Sequence, residues 1–269
     1  MKRMILTGAL ALAVGLPALM AQPKPKSQKE VEALMAIQNA QDPDSRIKAV
    51  DNLITHFADT EFKDFALFIA AFSYQQKNEP EKAIVYAERT LEANPKHYQA
   101  MLMLAELTAQ RTGEFDLDRE EKLTRADKYA KDALAALQTA AKPNPQMTDE
   151  QWTAAKKDME AQAHQSMGMI AMARKKYDVA ITEFKTAIDS ASSPEPAFQV
   201  RLAQAYVGAA KYDDAIATAQ KVMDTPNVHP QIKQVAQAIR ASAMQGKGGG
   251  AKPAAPAKPA PGQVEIKQQ

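Results

Sequence analysis

An alanine that recurs at a regular spacing constrains the fold of this 269-residue chain more than any other feature. Its copies are 34, 43, 54 and 35 residues apart, and they are Ala49, Ala83, Ala126, Ala180 and Ala215. A period near 34 residues is typical of helical repeats, in which each unit is a pair of helices and neighbouring units bury a shared core. The sequence therefore predicts an all-α stack of helix pairs.

A second small residue precedes most of these alanines and locates the irregular spacings. Its copies are Ala71, Ala105, Gly168 and Ala203. The distance from the small residue to the following alanine is 12 residues in three units, but it is 21 from Ala105 to Ala126. Nine residues are thus inserted between two helices, and a further lengthening falls between Ala126 and Gly168, where the segment AAKPNPQ interrupts the helical pattern.

One unit carries a recognisable family pattern. The segment from Leu67 to Pro95 places a small residue, an aromatic residue, an alanine and a closing proline at characteristic positions, namely Ala71, Tyr74, Ala83 and Pro95. This pattern resembles the tetratricopeptide-repeat (TPR) family, as found in exported bacterial TPR-repeat proteins. The resemblance implies a right-handed superhelical solenoid over 30–245, with about five helix pairs and a C-terminal capping helix. The predicted repeats lie near 30–61, 64–97, 98–141, 148–194 and 196–228, and the capping helix near 230–245.

The first 21 residues have the parts of a signal peptide. Lys2 and Arg3 precede an apolar run from Met4 to Leu16, and small residues follow near Ala21. A membrane anchor is the alternative, but the run is shorter than the ~20 apolar residues that span a bilayer. We therefore predict export to the periplasm or cell envelope of a bacterium, with no membrane span after cleavage.

Basic arms flank the predicted solenoid. Residues 22–29 and 246–269 each sum to +3, so the body between them is acidic, at about −6. The segment 22–29 is predicted to be a flexible arm, and the Gly/Ala/Pro/Lys composition of 246–269 predicts a disordered tail. These arms could make weak contact with anionic envelope surfaces. The acidic body disfavours nucleic acid as a partner.

The sequence lacks the motifs of common catalytic and cofactor sites. It has no cysteine, no two of its four histidines lie within a helical turn of each other, and no Gly-rich phosphate-binding loop precedes a helix. The chain is accordingly predicted to be no enzyme, with no cofactor and no metal site.

One acidic stretch nevertheless has the alternation of a calcium-binding loop. Asp116, Asp118 and Glu120 alternate, but Glu121 stands where such a loop requires glycine. A helix start explains the stretch better. Two N-terminal capping boxes are predicted, Asp118 with Glu121 and Thr148 with Gln151.

The family resemblance also selects residues that face the concave groove. In TPR proteins the residues two, five, nine and twelve places into each unit line that groove. Applied to this chain, the pattern gives as candidate partner-binding residues Phe65, Phe68, Phe72, Gln75, Leu102, Glu106, Gln165, Met169, Met172 and Gln204. A groove with this composition would be largely apolar, and it lacks the lysine and asparagines with which some TPR domains hold acidic carboxyl-terminal peptides.

Phe65, Phe68 and Phe72 form a second apolar stripe on a helix whose other face is already apolar. Such a stripe is either a ligand site or part of the packed core, and the sequence leaves both open. The resulting hypothesis is a protein-binding scaffold that takes an apolar extended or helical segment of a partner protein, whose identity the sequence does not give. The alternative is an envelope-anchoring or assembly factor whose basic arms contact cell-wall polymer or anionic lipid.

Overall fold

A computed structural model describes residues 23–144, 146–193 and 195–249. In this part of the chain the regular structure is helical, as predicted, and comprises α1 Gln28–Asn39, α2 Pro43–His56, α3 Lys63–Gln76, α4 Pro80–Ala93, α5 Tyr98–Arg111, α6 Arg119–Thr139, α7 Asp149–Ala173, α8 Tyr177–Ser190, α9 Pro196–Gly208, α10 Tyr212–Asp224 and α11 Pro230–Lys247. Each odd-numbered helix from α1 to α9 packs against the helix that follows it, and α11 packs against α9 and α10. The predicted signal peptide and residues 250–269 of the predicted tail lie outside the described residues.

The helices begin where the local sequence favours a start. Pro43 and Pro230 occupy the first helical turn, where the missing N–H of proline costs no hydrogen bond. At the start of α7 the Thr148 hydroxyl accepts from the Gln151 N–H at 3.2 Å, and the Gln151 side chain accepts from the Thr148 N–H at 2.9 Å. This is the predicted capping box.

The other predicted capping box is wrong. Asp118 does precede the first residue of α6, but its side chain accepts no backbone hydrogen bond there. The Lys122 ammonium lies one turn further along and pairs with the Asp118 carboxylate at 2.9 Å and with the Asp116 carboxylate at 3.0 Å. The Asp118 carboxylate thus pairs with Lys122 and does not cap α6.

Three helix pairs are joined by the same tight turn. Asn78, Lys175 and Ala210 each adopt a left-handed backbone, with φ between 57° and 59°. The residue after each of them donates its N–H to a carbonyl in the last turn of the preceding helix, as in Glu79 to Tyr74 at 2.9 Å. The same helix-terminating motif thus recurs at the end of α3, α7 and α9.

The third and fourth pairs depart from this plan. Residues 112–118 form a longer connection between α5 and α6, and α6 and α7 have 21 and 25 residues, against 14 in α3 and α4. The insertions located in the sequence thus become a loop and extra helical turns. As a result α7 is long enough to pack against α5, α6 and α8.

Apolar clusters follow one another along the stack and form an elongated core. Glycines let aromatic rings approach the helices closely. A methyl group at Gly168 would lie 2.5 Å from the ring of Phe184, which is 1% exposed. Gly208 receives the ring of Tyr177 in the same way, and each ring belongs to the second helix of a pair. These contacts fix one helix against the next.

Within the predicted flexible arm over 22–29, the described residues next to α1 make defined contacts. Ser27 caps α1 by accepting from the Glu30 N–H, and the Lys26 ammonium pairs with Asp59 at 2.8 Å. Residues 28 and 29 belong to the helix. Among the helices of the described residues, none has the length and apolarity needed to cross a membrane.

Candidate functional site

The clearest exposed apolar surface of the predicted groove lies on α3. Phe65 and Phe72 are 38% and 43% exposed, whereas Leu67 and Ala71 on the opposite face are at most 1% exposed. Because seven residues correspond to about two helical turns, the two rings lie on the same side of α3, about 10 Å apart along its axis. The face that carries them is apolar and open to solvent.

Phe68 occupies the same stripe but has a different environment. It is partly buried, and its ring lies 4.8 Å from the His97 ring between centroids. His97 precedes α5 and its Nδ1 accepts from the Ala100 N–H at 3.2 Å. Burial lowers the pKa of His97, while the Asp64 carboxylate opposes that shift. Phe68 therefore joins α3 to the start of α5.

Two of the predicted groove residues lie in the core. Leu102 is 6% exposed and packs with Met101, Ala133 and Ala163, and Met169 is 7% exposed in the cluster around α7. The physical reason is the contact between α5 and the long helix α7, which closes the space that these side chains would otherwise face. Leu102 and Met169 are thus packing residues, contrary to the prediction that they contact a partner.

The remaining candidates keep part of their side chains accessible. Gln75, Gln165, Met172 and Gln204 are each partly exposed, on α3, α7 and α9. The amide groups of Gln75, Gln165 and Gln204 are uncharged donors and acceptors. Met172 packs at the margin of the core cluster of α7. These side chains are accessible but scattered over three helices.

Glu106 on α5 has a partner that the sequence analysis missed. Burial raises the pKa of Glu106, while the Arg201 guanidinium and a hydrogen bond from the Gln110 amide at 2.8 Å oppose the shift. Burial also lowers the pKa of Arg201 on α9, and Glu106 opposes it. Both side chains are partly exposed, yet protein surrounds them closely enough for desolvation to dominate. Each of the two charges therefore opposes the effect of burial on the pKa of the other.

A signal for Arg201 was present in the sequence. The segment PAFQVRLAQAYVG forms α9, and Arg201 is its one charged residue, standing between the buried side chains of Val200 and Leu202. A charge inside an apolar helix is costly unless it has a partner or a function. The family register did not select it, because Arg201 lies one position beyond the one expected to face the groove.

The long connection between α5 and α6 presents a second exposed apolar feature. Phe115 and Leu117 are 93% and 107% exposed, so both side chains project into solvent. The connection beneath them is braced by an ion pair between Lys175 and Glu114 at 2.9 Å, and by a hydrogen bond from the Gly113 N–H to Asp116 at 3.1 Å. The carboxylates of this stretch stand out in the sequence, whereas the exposure of Phe115 and Leu117 depends on how the connection folds.

The acidic residues of this connection have basic partners. Asp116 and Asp118 both pair with Lys122, and the Arg174 guanidinium donates to Glu120 at 2.8 Å. Within the described residues, no group of three His, Asp or Glu side chains has a geometry suited to a metal ion. Asp116 and Asp118 thus tie the connection to α6, and Glu120 ties the start of α6 to the end of α7.

The family and structural comparisons agree with this architecture. The family model described as "Tetratricopeptide repeat" matches residues 70–148 and 166–226, just over half of the chain. The structure is also similar to the crystal structure of a thermophilic TPR protein of Thermus thermophilus. The TM-score is 0.52 at 16% sequence identity, over 78% of this chain and 95% of that one. A search of curated protein sequences gave no match. With its helix pairs, its repeating turns and this family match, the chain belongs to the tetratricopeptide-repeat family.

Proposed function

We propose that this chain is a non-catalytic protein-binding scaffold, and that the exposed face of α3 binds an apolar helical or extended segment of a partner protein. TPR repeats generally mediate interactions between proteins, which makes a binding role the natural starting point. The observation that carries the finer proposal is the exposure of Phe65 and Phe72 on a helix whose other face is fully buried.

The spacing of these rings suits a helical or extended ligand. Two aromatic side chains about 10 Å apart on one helix can receive two apolar side chains of a partner, separated by two helical turns or by three strand residues. Aromatic side chains contribute strongly to binding because they bury a large area with few rotatable bonds. Phe68, on the same helix, is held by its contact with the His97 ring.

The test is a comparison of two double variants in pull-downs from envelope extract. Phe65→Ser with Phe72→Ser removes the proposed site, and Val85→Ser with Val179→Ser is the matched control, since Val85 and Val179 are 51% and 50% exposed on α4 and α8. We expect the control to retain the proteins captured by the wild type and the α3 variant to lose them. Equal capture by both variants would contradict the proposal.

We further propose that the protein acts in the periplasm or cell envelope after removal of a signal peptide. The cationic start and apolar run of residues 1–21 support this placement. Amino-terminal sequencing of protein from the envelope fraction should begin near Gln22. Recovery of Lys2 in that protein would show that the leader is retained.

The alternative role, anchoring by basic arms, has a separate test. Lys26 in the first arm is engaged with Asp59, which leaves the tail as the better candidate for an external contact. Deleting residues 250–269 leaves every described helix whole. A scaffold then keeps its partner and its location, whereas an anchored spacer loses its location.

A further inference from the structure

The connection between α5 and α6 holds two large apolar side chains away from the rest of the protein. Phe115 and Leu117 are 93% and 107% exposed, and together they form an apolar tip. The backbone beneath them is fixed, since the Gly113 N–H donates to the Asp116 carboxylate at 3.1 Å and the Asp116 carbonyl accepts from the Arg119 N–H at 3.2 Å. Covering this apolar tip would be favourable, and its fixed turn costs little further ordering on binding.

The apolar tip lies on the same edge of the stack as the end of α11. At this edge, cations that end or follow the first helices of successive pairs bind carboxylates of the preceding pair. The ion pairs are Lys175 with Glu114 at 2.9 Å, Lys211 with Asp178 at 2.8 Å, and Lys247 with Asp213. The ends of α7, α9 and α11 therefore follow one another along one edge, and the connection that carries the apolar tip contacts the end of α7.

The chain that follows α11 is long enough to reach the apolar tip. Because α11 packs on α9 and α9 packs on α7, two interhelical spacings, about 20 Å in total, separate the ends of α11 and α7. The chain runs 15 residues further from Gly249, the last described residue, to Val264. A stretch of this length spans up to about 50 Å when it is fully extended. The residues around Val264 can therefore contact the apolar tip.

One segment of this following chain has the apolar residues that such a contact needs. Val264 and Ile266 are the only large aliphatic residues in 250–269, where alanine, proline and lysine predominate. They are two positions apart, as Phe115 and Leu117 are. Two apolar side chains are thus available for the two that the connection exposes.

The charges of the two segments are opposite in sign. The connection 112–118 has three carboxylates and no cation of its own, and its ion-pair partners Lys122 and Lys175 leave it at −1. Residues 250–269 sum to +2. Attraction between them favours a contact within the chain, whereas the acidic connection disfavours an anionic lipid surface as the group that covers the apolar tip.

We propose that residues 262–267 bind back onto the apolar tip, so that Val264 and Ile266 contact its two side chains. Because both segments belong to one chain, the effective concentration is high and a small contact is sufficient. Residues that are bound in this way are not available to an external anionic surface. The contact does not involve the exposed face of α3, so it stands or falls independently of the proposed function.

Disulfide formation in the full chain measures the contact, because the chain has no cysteine of its own. The first double variant is Glu121→Cys with Gln268→Cys, and the matched control is Asp214→Cys with Gln268→Cys. Glu121 and Asp214 are exposed carboxylates, each the third residue of its helix, and Asp214 lies closer to the end of α11. An unbound chain closes the control's shorter loop faster. Binding should reverse the order and make the first variant about tenfold faster than the control.

Serine substitutions identify the side chains responsible. Phe115→Ser with Leu117→Ser, added to the first double variant, should remove its advantage, and circular dichroism should be unchanged because both side chains are exposed. Val264→Ser with Ile266→Ser should have the same effect and alters no described residue, so it replaces the first pair of substitutions if that pair does not fold. Rates that follow loop length, an advantage that persists in both serine variants, or disulfide-linked dimers in place of monomers would overturn the proposal.

Discussion

The helices α3 and α5 have the same length and the same predicted register, yet they present different surfaces. On α3, Phe65 and Phe72 are 38% and 43% exposed, whereas on α5 Leu102 is 6% exposed. Packing partners account for the difference: α3 packs mainly on α2 and α4, while α5 also packs on α7. A family register thus indicates which face a residue lies on, and the neighbouring helices decide whether that face stays open.

The extra length of α7 closes the second surface. Its 25 residues run past α5, and the buried side chains of α7 include Met167, Met169 and Ile170. The groove positions Leu102 and Met169 therefore contribute to stability as buried apolar residues. Glu106 and Arg201 in the same region are charged and partly exposed. The open face of α3 and the closed region around α5 and α7 should consequently respond in opposite ways to mutation.

The largest effect is expected for Leu102→Ala in the closed region. Removing a buried leucine side chain costs the transfer free energy of the lost atoms and leaves a cavity, for a total of about 3 kcal/mol in the free energy of unfolding. Leu117→Ala is the matched control, because Leu117 is fully exposed and its loss should change stability by less than about 0.5 kcal/mol. Urea denaturation followed by circular dichroism measures both. Equal midpoints for the two variants would show that α5 is open, as α3 is.

The next effect is expected for Gly168→Ala, which tests how α7 in the closed region is held against α8. The added methyl would lie 2.5 Å from the ring of Phe184, which has no free space to move into. Overpacking of this kind costs about 1–3 kcal/mol, and the better helix propensity of alanine offsets up to about 1 kcal/mol. A net loss of about 1–2 kcal/mol is expected. Gly248→Ala, where the nearest atom is 3.5 Å away, should have little effect, and a neutral Gly168→Ala would contradict the close packing.

A smaller effect of opposite sign is expected for Glu106→Gln without ligand. Burial raises the pKa of Glu106, so the folded state holds this proton more tightly than the unfolded state does. The stability that Glu106 contributes is present below its ordinary pKa of 4.5 and is lost as pH rises through the folded value. Glutamine avoids this loss and can still accept from Gln110, so the variant should be more stable on the order of 1 kcal/mol at neutral pH.

The pH dependence of the variant provides its control. The gain should shrink as pH falls toward 4.5, where wild-type Glu106 is itself protonated. At Glu120 the sign is reversed, because its hydrogen bond to Arg174 lowers the pKa, so Glu120→Gln should not stabilise the protein at neutral pH. A Glu106→Gln gain that is the same at both pH values would indicate a cause other than titration.

Local signals in the sequence were sufficient for the helix pairs, because small residues, alanines and capping residues act within a few turns. The Thr148 capping box and the place of the insertions follow from such signals. The Asp118 box failed because Lys122, one turn away, competes for the carboxylate. Accessibility could not be predicted in the same way: the burial of Leu102 depends on how far α7 extends over α5.

The candidate site shows the same division between local and distant causes. The apolar stripe of α3 was visible in the sequence, since its residues are at most seven positions apart. The electrostatic effect of Arg201 on Glu106 joins residues 95 positions apart, on helices α5 and α9 that both pack on α7. Such a pair can be found only once the packing of the helices is known, although Arg201, the one charged residue of α9, indicated it in the sequence.

The smallest effect on stability is expected for Phe72→Ser on the open face. Phe72 is 43% exposed, so only about half of the transfer free energy of a buried phenylalanine is lost, and the substitution should lower the free energy of unfolding by about 1 kcal/mol. Phe68→Ser removes a ring that packs on His97 and the adjoining cluster, and it should cost roughly 2 kcal/mol or more. The two residues are four positions apart on one helix, so helix propensity affects both alike and cancels in the comparison. Thermal melting of both variants measures the difference. If Phe72→Ser is as destabilising as Phe68→Ser, the open face of α3 is part of the core, and the difference between α3 and α5 disappears.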